Sequence, residues 1–269
     1  MFRITILARG GQGAKIGAEI FAEAYLRKFF TQSSPKFGVE RRGAPIEAYF
    51  RFDEKFINER GDLLEPDMMV IFDASLINEQ TFDNLKNGGL ILINTAAIGK
   101  YAKFLPQFPF KLVTIDADSI AKNNRIMAKG QPIINIVMLG AINAVLKEIS
   151  INELLETIKE ELPEKTSVTQ KALEKNIIGA KEASESIKFW TEEEIKNFTK
   201  NIDTQKQVHF GPEQPDEKCT GCKICAELCP KNTIYLKDKK AFINYEFCNN
   251  CGVCVKVCPQ EAIKSGGEK

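Results

Sequence analysis

Apolar and β-branched residues dominate positions 2–8, a run that predicts a buried strand. It passes into Arg9-Gly10-Gly11-Gln12-Gly13, after which Ile16, Ile20 and Ala24, with Phe21 and Tyr25 on the adjacent row, recur at helical spacing to about Phe30. The opening pattern is therefore strand, glycine loop, helix. Further apolar runs predict strands at 46–52, 68–72, 90–93 and 111–115, with a helix at about 76–85. Longer helical periodicities follow at 133–149, 151–161 and 171–188. Strands alternating with helices predict an α/β layer fold with a parallel or mixed sheet, spanning residues 1–200. Residues 201–215 are polar and aperiodic, include Gly211, Pro212 and Pro215, and read as a linker.

The remaining stretch, 216–269, has an internal repeat. Cys219, Cys222, Cys225, Cys229 and Pro230 are matched by Cys248, Cys251, Cys254, Cys258 and Pro259, each run being C-x2-C-x2-C-x3-C-P. Each is followed by a short strand candidate, at 233–236 and 262–263, and 241–243 is another. Lys237 to Lys240 reads as a charged hairpin tip. All eight cysteines of the chain lie in these two runs. Such spacing is that of a small α+β bacterial-type ferredoxin domain holding two [4Fe–4S] clusters. Three closely spaced thiolates cap one cube, and the fourth of each run reaches the other. The expected sets are Cys219, Cys222, Cys225 and Cys258 for one cluster, and Cys248, Cys251, Cys254 and Cys229 for the second. Zinc modules separate their C-x2-C pairs by longer stretches and lack the triple run ending in Cys-Pro. A disulfide scaffold would come with an export signal, whereas the N-terminus opens straight into the first strand without a charged-then-apolar leader. Free thiolates then imply a reducing cytoplasm.

Composition narrows the partners. The 269 residues carry a net charge of +1 with 43% hydrophobic and 27% charged residues, which provides no field for nucleic acid or a membrane surface. The longest apolar stretch, 132–146, contains Asn135 and Asn143 and falls short of the roughly 20 residues a membrane span needs. His209 is the only histidine and sits in the linker, so a Ser–His or Cys–His triad has no seat in a folded domain.

The glycine loop between strand and helix can place backbone N–H groups and the helix dipole against a phosphate, or can simply let a turn pack tightly. Against G-x-G-x-x-G, Ala8 occupies the first position while Gly10 and Gly13 match, and no acidic residue is placed to hold the ribose of NAD. Taken with the run Phe37-Gly38-Val39-Glu40-Arg41-Arg42-Gly43-Ala44-Pro45, the strand ends Phe72-Asp73 and Ile93-Asn94-Thr95, and Met138-Leu139-Gly140-Ala141, the loop resembles the gamma subunit of the 2-oxoacid:ferredoxin oxidoreductases. The C-terminal module is similar to the delta subunit of the same pyruvate:ferredoxin oxidoreductase family, so the chain resembles a gamma–delta fusion. Ala8 stands where family members often carry glycine.

That resemblance implies a complex that decarboxylates a 2-oxoacid on thiamine diphosphate and Mg²⁺ held by alpha and beta subunits. Electrons then pass through [4Fe–4S] clusters to soluble ferredoxin or flavodoxin, and the acyl group goes to coenzyme A. This chain is expected to carry no catalytic residue of the carbon chemistry. Gly10, Gly11, Gln12, Gly13, Arg41 and Arg42 are its candidate coenzyme A phosphate contacts. Pyruvate is the expected substrate, with an oxalate-type enzyme that uses no coenzyme A as an alternative. Two other classes compete: a ferredoxin fused to a nucleotide-binding regulatory domain, and an NAD-dependent oxidoreductase, against which the missing ribose-binding acid counts.

Overall fold

The computed structural model describes residues 1–35, 44–59, 65–106, 109–128, 130–202, 214–229, 233–245, 248 and 252–264. The chain forms two compact units, Met1–Ile202 and Asp203–Lys269. In the first, β1 (Phe2–Arg9) leads through the glycine loop into α1 (Ala14–Tyr25), followed by β2 (Phe30–Pro35), β3 (Pro45–Asp53), β4 (Met68–Ile71), β5 (Leu90–Asn94) and β6 (Lys111–Ile115). After α2 (Ala117–Asn123) and the short pair β7 (Met127–Ala128) and β8 (Gln131–Pro132) come α3 (Asn135–Leu146), α4 (Ile151–Lys165) and α5 (Gln170–Glu185). The unit ends with β9 (Lys188–Trp190) and α6 (Glu192–Ile202).

The main sheet is mixed and seven-stranded, in the order β2-β3-β1-β4-β5-β6-β9. Its centre, β1-β4-β5-β6, is parallel, while β3 on β1, β2 on β3 and β9 on β6 are antiparallel. Strand alternation sends Val70, Leu92 and Val113 into one core with Ile20, Leu139 and Ala180. Met69, Ile71, Ile91, Ile93 and Leu112 enter a second core with Ile77, Phe82, Ile98 and Ile195. Because both faces are covered, the central strands read as continuous apolar runs and not as alternating ones.

Several elements depart from the sequence pattern, for local reasons. The periodicity of α1 extends to Phe29 because that ring joins the cluster of Tyr25 and Phe52, at centroid distances of 5.8 and 5.0 Å. The helix nevertheless stops at Tyr25, and Phe30 begins an edge strand. The helix expected at 76–85 does not form. A 3-10 turn at Ala74–Leu76 gives way to turns in which Asn78 N–H donates to Thr81 Oγ1 and Gln80 N–H donates to Asn78 Oδ1, so side chains take the partners a helix would need. The strand β9 and helices α2 and α6 lie outside the elements that the sequence pattern predicts. The signal for α6 was nonetheless present: Thr191 and Glu194 form a reciprocal cap, with N···O distances of 2.8 and 3.2 Å.

The second unit contains α7 (Ile224–Glu227), the hairpin β10 (Ile234–Lys237) and β11 (Lys240–Ile243), and α8 (Val253–Val257). Asp238 and Lys239 make the two-residue hairpin turn with φ of 51° and 61°, the left-handed pair of a type I′ turn. Ala262 and Ile263 do not form the expected strand; they are buried, and the Ala262 carbonyl accepts a hydrogen bond from Asp216 N–H. Of the expected linker, 201–215, residues 203–213, His209 included, lie outside the described residues. Helix α6 runs to Ile202, and Gln214 is tied into the second unit by both ends of its amide. Its Nε2 donates to the Ile243 carbonyl at 2.7 Å and its Oε1 accepts from Ile243 N–H at 3.0 Å, much as a neighbouring strand would.

Helices α3 and α5 touch closely because Gly140 faces the Ala180 carbonyl; a Cβ at Gly140 would fall on that oxygen. A Gly140→Ala change gains about 1 kcal/mol of helix propensity but forces two packed backbones apart. The clash should win, leaving the first unit about 1–3 kcal/mol less stable. Guanidinium unfolding followed by the fluorescence of Trp190, the one tryptophan, reads this directly; an unchanged midpoint would refute the contact.

Candidate functional site

Two sets of residues converge, one in each unit. At the carboxyl edge of the parallel strands, the chain leaves β1 through a loop tied to its neighbours on both sides. Gly10 N–H donates to the Ala44 carbonyl at 2.8 Å, and Gln12 closes the turn on Arg9. Gln12 Oε1 accepts from Arg9 N–H at 2.7 Å, and Gln12 N–H donates to the Arg9 carbonyl at 3.0 Å. Gly11 and Gly13 have φ of 95° and 75°, a conformation side chains rarely adopt. A Cβ at Gly13 would also lie 2.6 Å from Asn135 Nδ2 at the start of α3, so that side chain would have to shift. No side chain caps the N-terminus of α1, and its first turn contains no acidic residue. Its backbone N–H groups and the positive end of the helix dipole thus lie beside the loop.

The adjacent strand ends supply side chains that the sequence pattern did not assign. Arg9 Nε donates to Asp73 Oδ2 at 2.6 Å, and its Nη2 donates to Ser75 Oγ at 2.8 Å. One arginine thereby joins the end of β1 to the turn after β4. Asn94, buried at the end of β5, donates to the Phe72 carbonyl at 3.0 Å and to Asp118 Oδ2 at 2.8 Å, while its own Oδ1 accepts from Ala117 N–H at 2.9 Å. Tyr101 lies close enough to sense Asp73: burial, and then that carboxylate, raise its pKa above the usual tyrosine value. The expected phosphate-binding pair Arg41 and Arg42 lies outside the described residues.

In the second unit, Cys219, Cys222, Cys225 and Cys258 line one small cavity, together with Gly221 and Ala241. The last cysteine of the second run thus stands with the first three of the first run. Burial, followed by the neighbouring Cys219 and Cys222 sulfurs, pushes the Cys225 thiol up, so its thiolate is disfavoured without a cationic partner. Among the described residues, no three acidic, histidine or cysteine side chains converge on a single-ion site. A cube does not require such convergence, because each thiolate takes its own iron. Backbone donors are already in place: Ala241 N–H points at Cys219 Sγ at 3.4 Å, Thr233 N–H at Cys229 Sγ at 3.4 Å and Ala262 N–H at Cys258 Sγ at 3.3 Å. The donor set, its N–H···S bonds and its apolar surround of Ile234, Ile243 and Ile263 suit an iron–sulfur cluster. Cys248 and Cys254 pack around the same core, and Cys251 lies outside the described residues.

Gly221 marks how the first cysteine loop is seated. Its φ is 70°, and a Cβ would strike the Lys239 carbonyl at the hairpin tip. The charged turn therefore has a packing role that its sequence does not disclose.

Replacing Asp73 by Asn should lower the Tyr101 pKa towards its ordinary value while burial keeps part of the elevation. Absorbance titration against a Tyr101→Phe control isolates that group. An unaltered Tyr101 titration would mean that Asp73 does not act on it.

Residues 3–186 match the family model for pyruvate ferredoxin/flavodoxin oxidoreductase, and residues 218–262 match a 4Fe-4S dicluster domain. Subunit PorC of pyruvate synthase from Methanothermobacter marburgensis is 38% identical over 190 residues, covering 70% of this chain and 98% of its own. The gamma subunit common to the pyruvate and ketoisovalerate oxidoreductases of Thermococcus litoralis is 37% identical over 188 residues, covering 66% of this chain and 98% of its own. Among solved structures, the pyruvate oxidoreductase subunit PORC of Thermotoga maritima superposes with a TM-score of 0.58 at 27% identity, over 71% of this chain and 98% of that one. These relatives account for the first unit, and the dicluster match accounts for what extends beyond them. The chain belongs to the pyruvate ferredoxin/flavodoxin oxidoreductase family, as a gamma-type subunit of a multi-subunit oxidoreductase fused to a 4Fe-4S dicluster domain.

Proposed function

We propose that the chain is the combined gamma and delta electron-transfer subunit of a cytoplasmic 2-oxoacid:ferredoxin oxidoreductase acting on pyruvate. In this reading alpha and beta subunits hold thiamine diphosphate and Mg²⁺, coenzyme A receives the acyl group, and soluble ferredoxin or flavodoxin takes the electrons. The observation that carries it is the gathering of Cys219, Cys222, Cys225 and Cys258 around one cavity, on a chain whose first 200 residues are gamma-type. Cys248, Cys251, Cys254 and Cys229 form the complementary set. When bound, two [4Fe–4S] clusters supply neighbouring one-electron carriers at the end of the subunit.

The residues of this chain have separate tasks. Thiolates hold the iron, N–H groups of Thr233, Ala241 and Ala262 offset charge on the sulfurs, and Ile234, Ile243 and Ile263 keep water away from them. In the first unit the backbone N–H groups of Gly10 to Gly13, with α1 behind them, suit a phosphate of coenzyme A. Gln12 serves there by fixing the turn, since its Oε1 is committed to Arg9. Arg41 and Arg42 add charge-assisted contacts to the same phosphate. The choice of oxoacid lies with the partners, and a relative described as common to pyruvate and ketoisovalerate enzymes fits that division. No helix among the described residues is long and apolar enough to cross a membrane.

The reading is tested by assaying the isolated, cluster-loaded chain with thiamine diphosphate, Mg²⁺, coenzyme A and pyruvate against a viologen dye. It predicts no turnover until alpha- and beta-type chains are added. Turnover by the chain alone at ordinary enzyme rates, on the order of 1–100 per second, would overturn it.

A further inference from the structure

The two cysteine runs are equivalent in spacing but differ in what reaches their last sulfur. Cys229 Sγ accepts Thr233 N–H at 3.4 Å, and Thr233 Oγ1 stands 3.4 Å from the same atom. In the second run Cys258 Sγ accepts Ala262 N–H at 3.3 Å. Position i+4 is thus threonine in one run and alanine in the other. The fold repeats the backbone bond but not the hydroxyl.

The Thr233 hydroxyl is held where it is. The residue is 5% exposed, and its carbonyl is fixed by Asn244 N–H at 2.8 Å. A cysteine sulfur bonded to iron carries no proton, so in the loaded protein the hydroxyl must be the donor of the pair. A hydrogen bond donated to a ligating sulfur draws electron density from the cluster and favours its more negative, reduced form. Burial strengthens the effect by removing competing water.

We propose that Thr233 sets the two clusters apart in potential: its hydroxyl raises the midpoint of the cube that takes Cys229, relative to the cube that takes Cys258. This rests on the crossed ligand sets above, so Cys248, Cys251 and Cys254 hold the raised cluster. Thr233 is a positioning and tuning residue, because it acts on the cluster only through the Cys229 sulfur. The asymmetry also gives the unit a direction, with an electron resting longer on the Cys229 cube.

The experiment is an EPR-monitored redox titration of the full-length, anaerobically loaded chain, in which Cys222→Ala and Cys254→Ala identify the signal of each cluster. Thr233→Val, which swaps the hydroxyl for a methyl at nearly constant volume, should move the Cys254-marked midpoint to a more negative value and leave the other in place. Thr233→Ser should restore it. Ala262→Ser should raise the Cys222-marked midpoint instead, which keeps the test informative if the valine variant loads poorly. Midpoints that do not move in Thr233→Val, or that move together, would overturn the proposal. A shift confined to the Cys222-marked signal would overturn the crossed ligand assignment, with the hydroxyl acting on the wrong cube for this account.

Discussion

A thiolate buried among apolar side chains is tolerable only when its charge is met, and the second unit is organised around that requirement. Its buried core is Cys225 and Cys254 with Ile234, Ala241, Ile243 and Ile263, and four further cysteines pack against it. So short a segment buries little hydrocarbon, and small scaffolds commonly add metal bonds to packing. Iron–sulfur bonds, when formed, would supply cohesion as well as redox chemistry. The other features of the unit follow from seating those sulfurs: a left-handed Gly221 under the hairpin tip, the Gln214 amide paired with Ile243, and N–H groups directed at Cys219, Cys229 and Cys258.

The first unit meets a different constraint with ordinary means. Parallel strands buried on both faces leave their carboxyl ends as the natural place for irregular loops, and small residues let the helices close behind them. Gly13 yields to Asn135 and Gly140 yields to Ala180, so α1, α3 and α5 stack tightly and hold the glycine loop from below. Arg9, Asp73 and Ser75 tie it from the side. A loop held this way has little conformational freedom left to lose.

Much of this was legible in the sequence. The strands β1, β3, β4, β5 and β6 and helices α3, α4 and α5 follow from apolar periodicity, and the cysteine spacing alone pointed to paired clusters. The glycine loop was also evident, since strand, glycine and helix succeed one another without interruption. Failures occurred where side chains compete with backbone or where an element is short. Asn78 and Thr81 took the bonds of an expected helix, and β9 spans only Lys188–Trp190, too few residues for any period to register. The partners of Arg9 are 64 and 66 positions away, a pairing that depends on β1 lying beside β4 and leaves no local trace. The role of Thr233 was hidden differently: its position four residues after Cys229 is visible, but only a fold that turns its hydroxyl back to the sulfur gives that spacing meaning.

In the proposed arrangement the fourth cysteine of each run serves the other run's cluster. This arrangement is tested most directly by comparing the EPR spectra of the reduced, full-length Cys229→Ala, Cys222→Ala and Cys254→Ala variants. Crossed ligation predicts that Cys229→Ala and Cys254→Ala damage the same cluster and spare the one that Cys222→Ala damages. Loss of the Cys222-dependent signal in Cys229→Ala, with the Cys254-dependent signal intact, would show that each run binds its own cluster and would contradict the account.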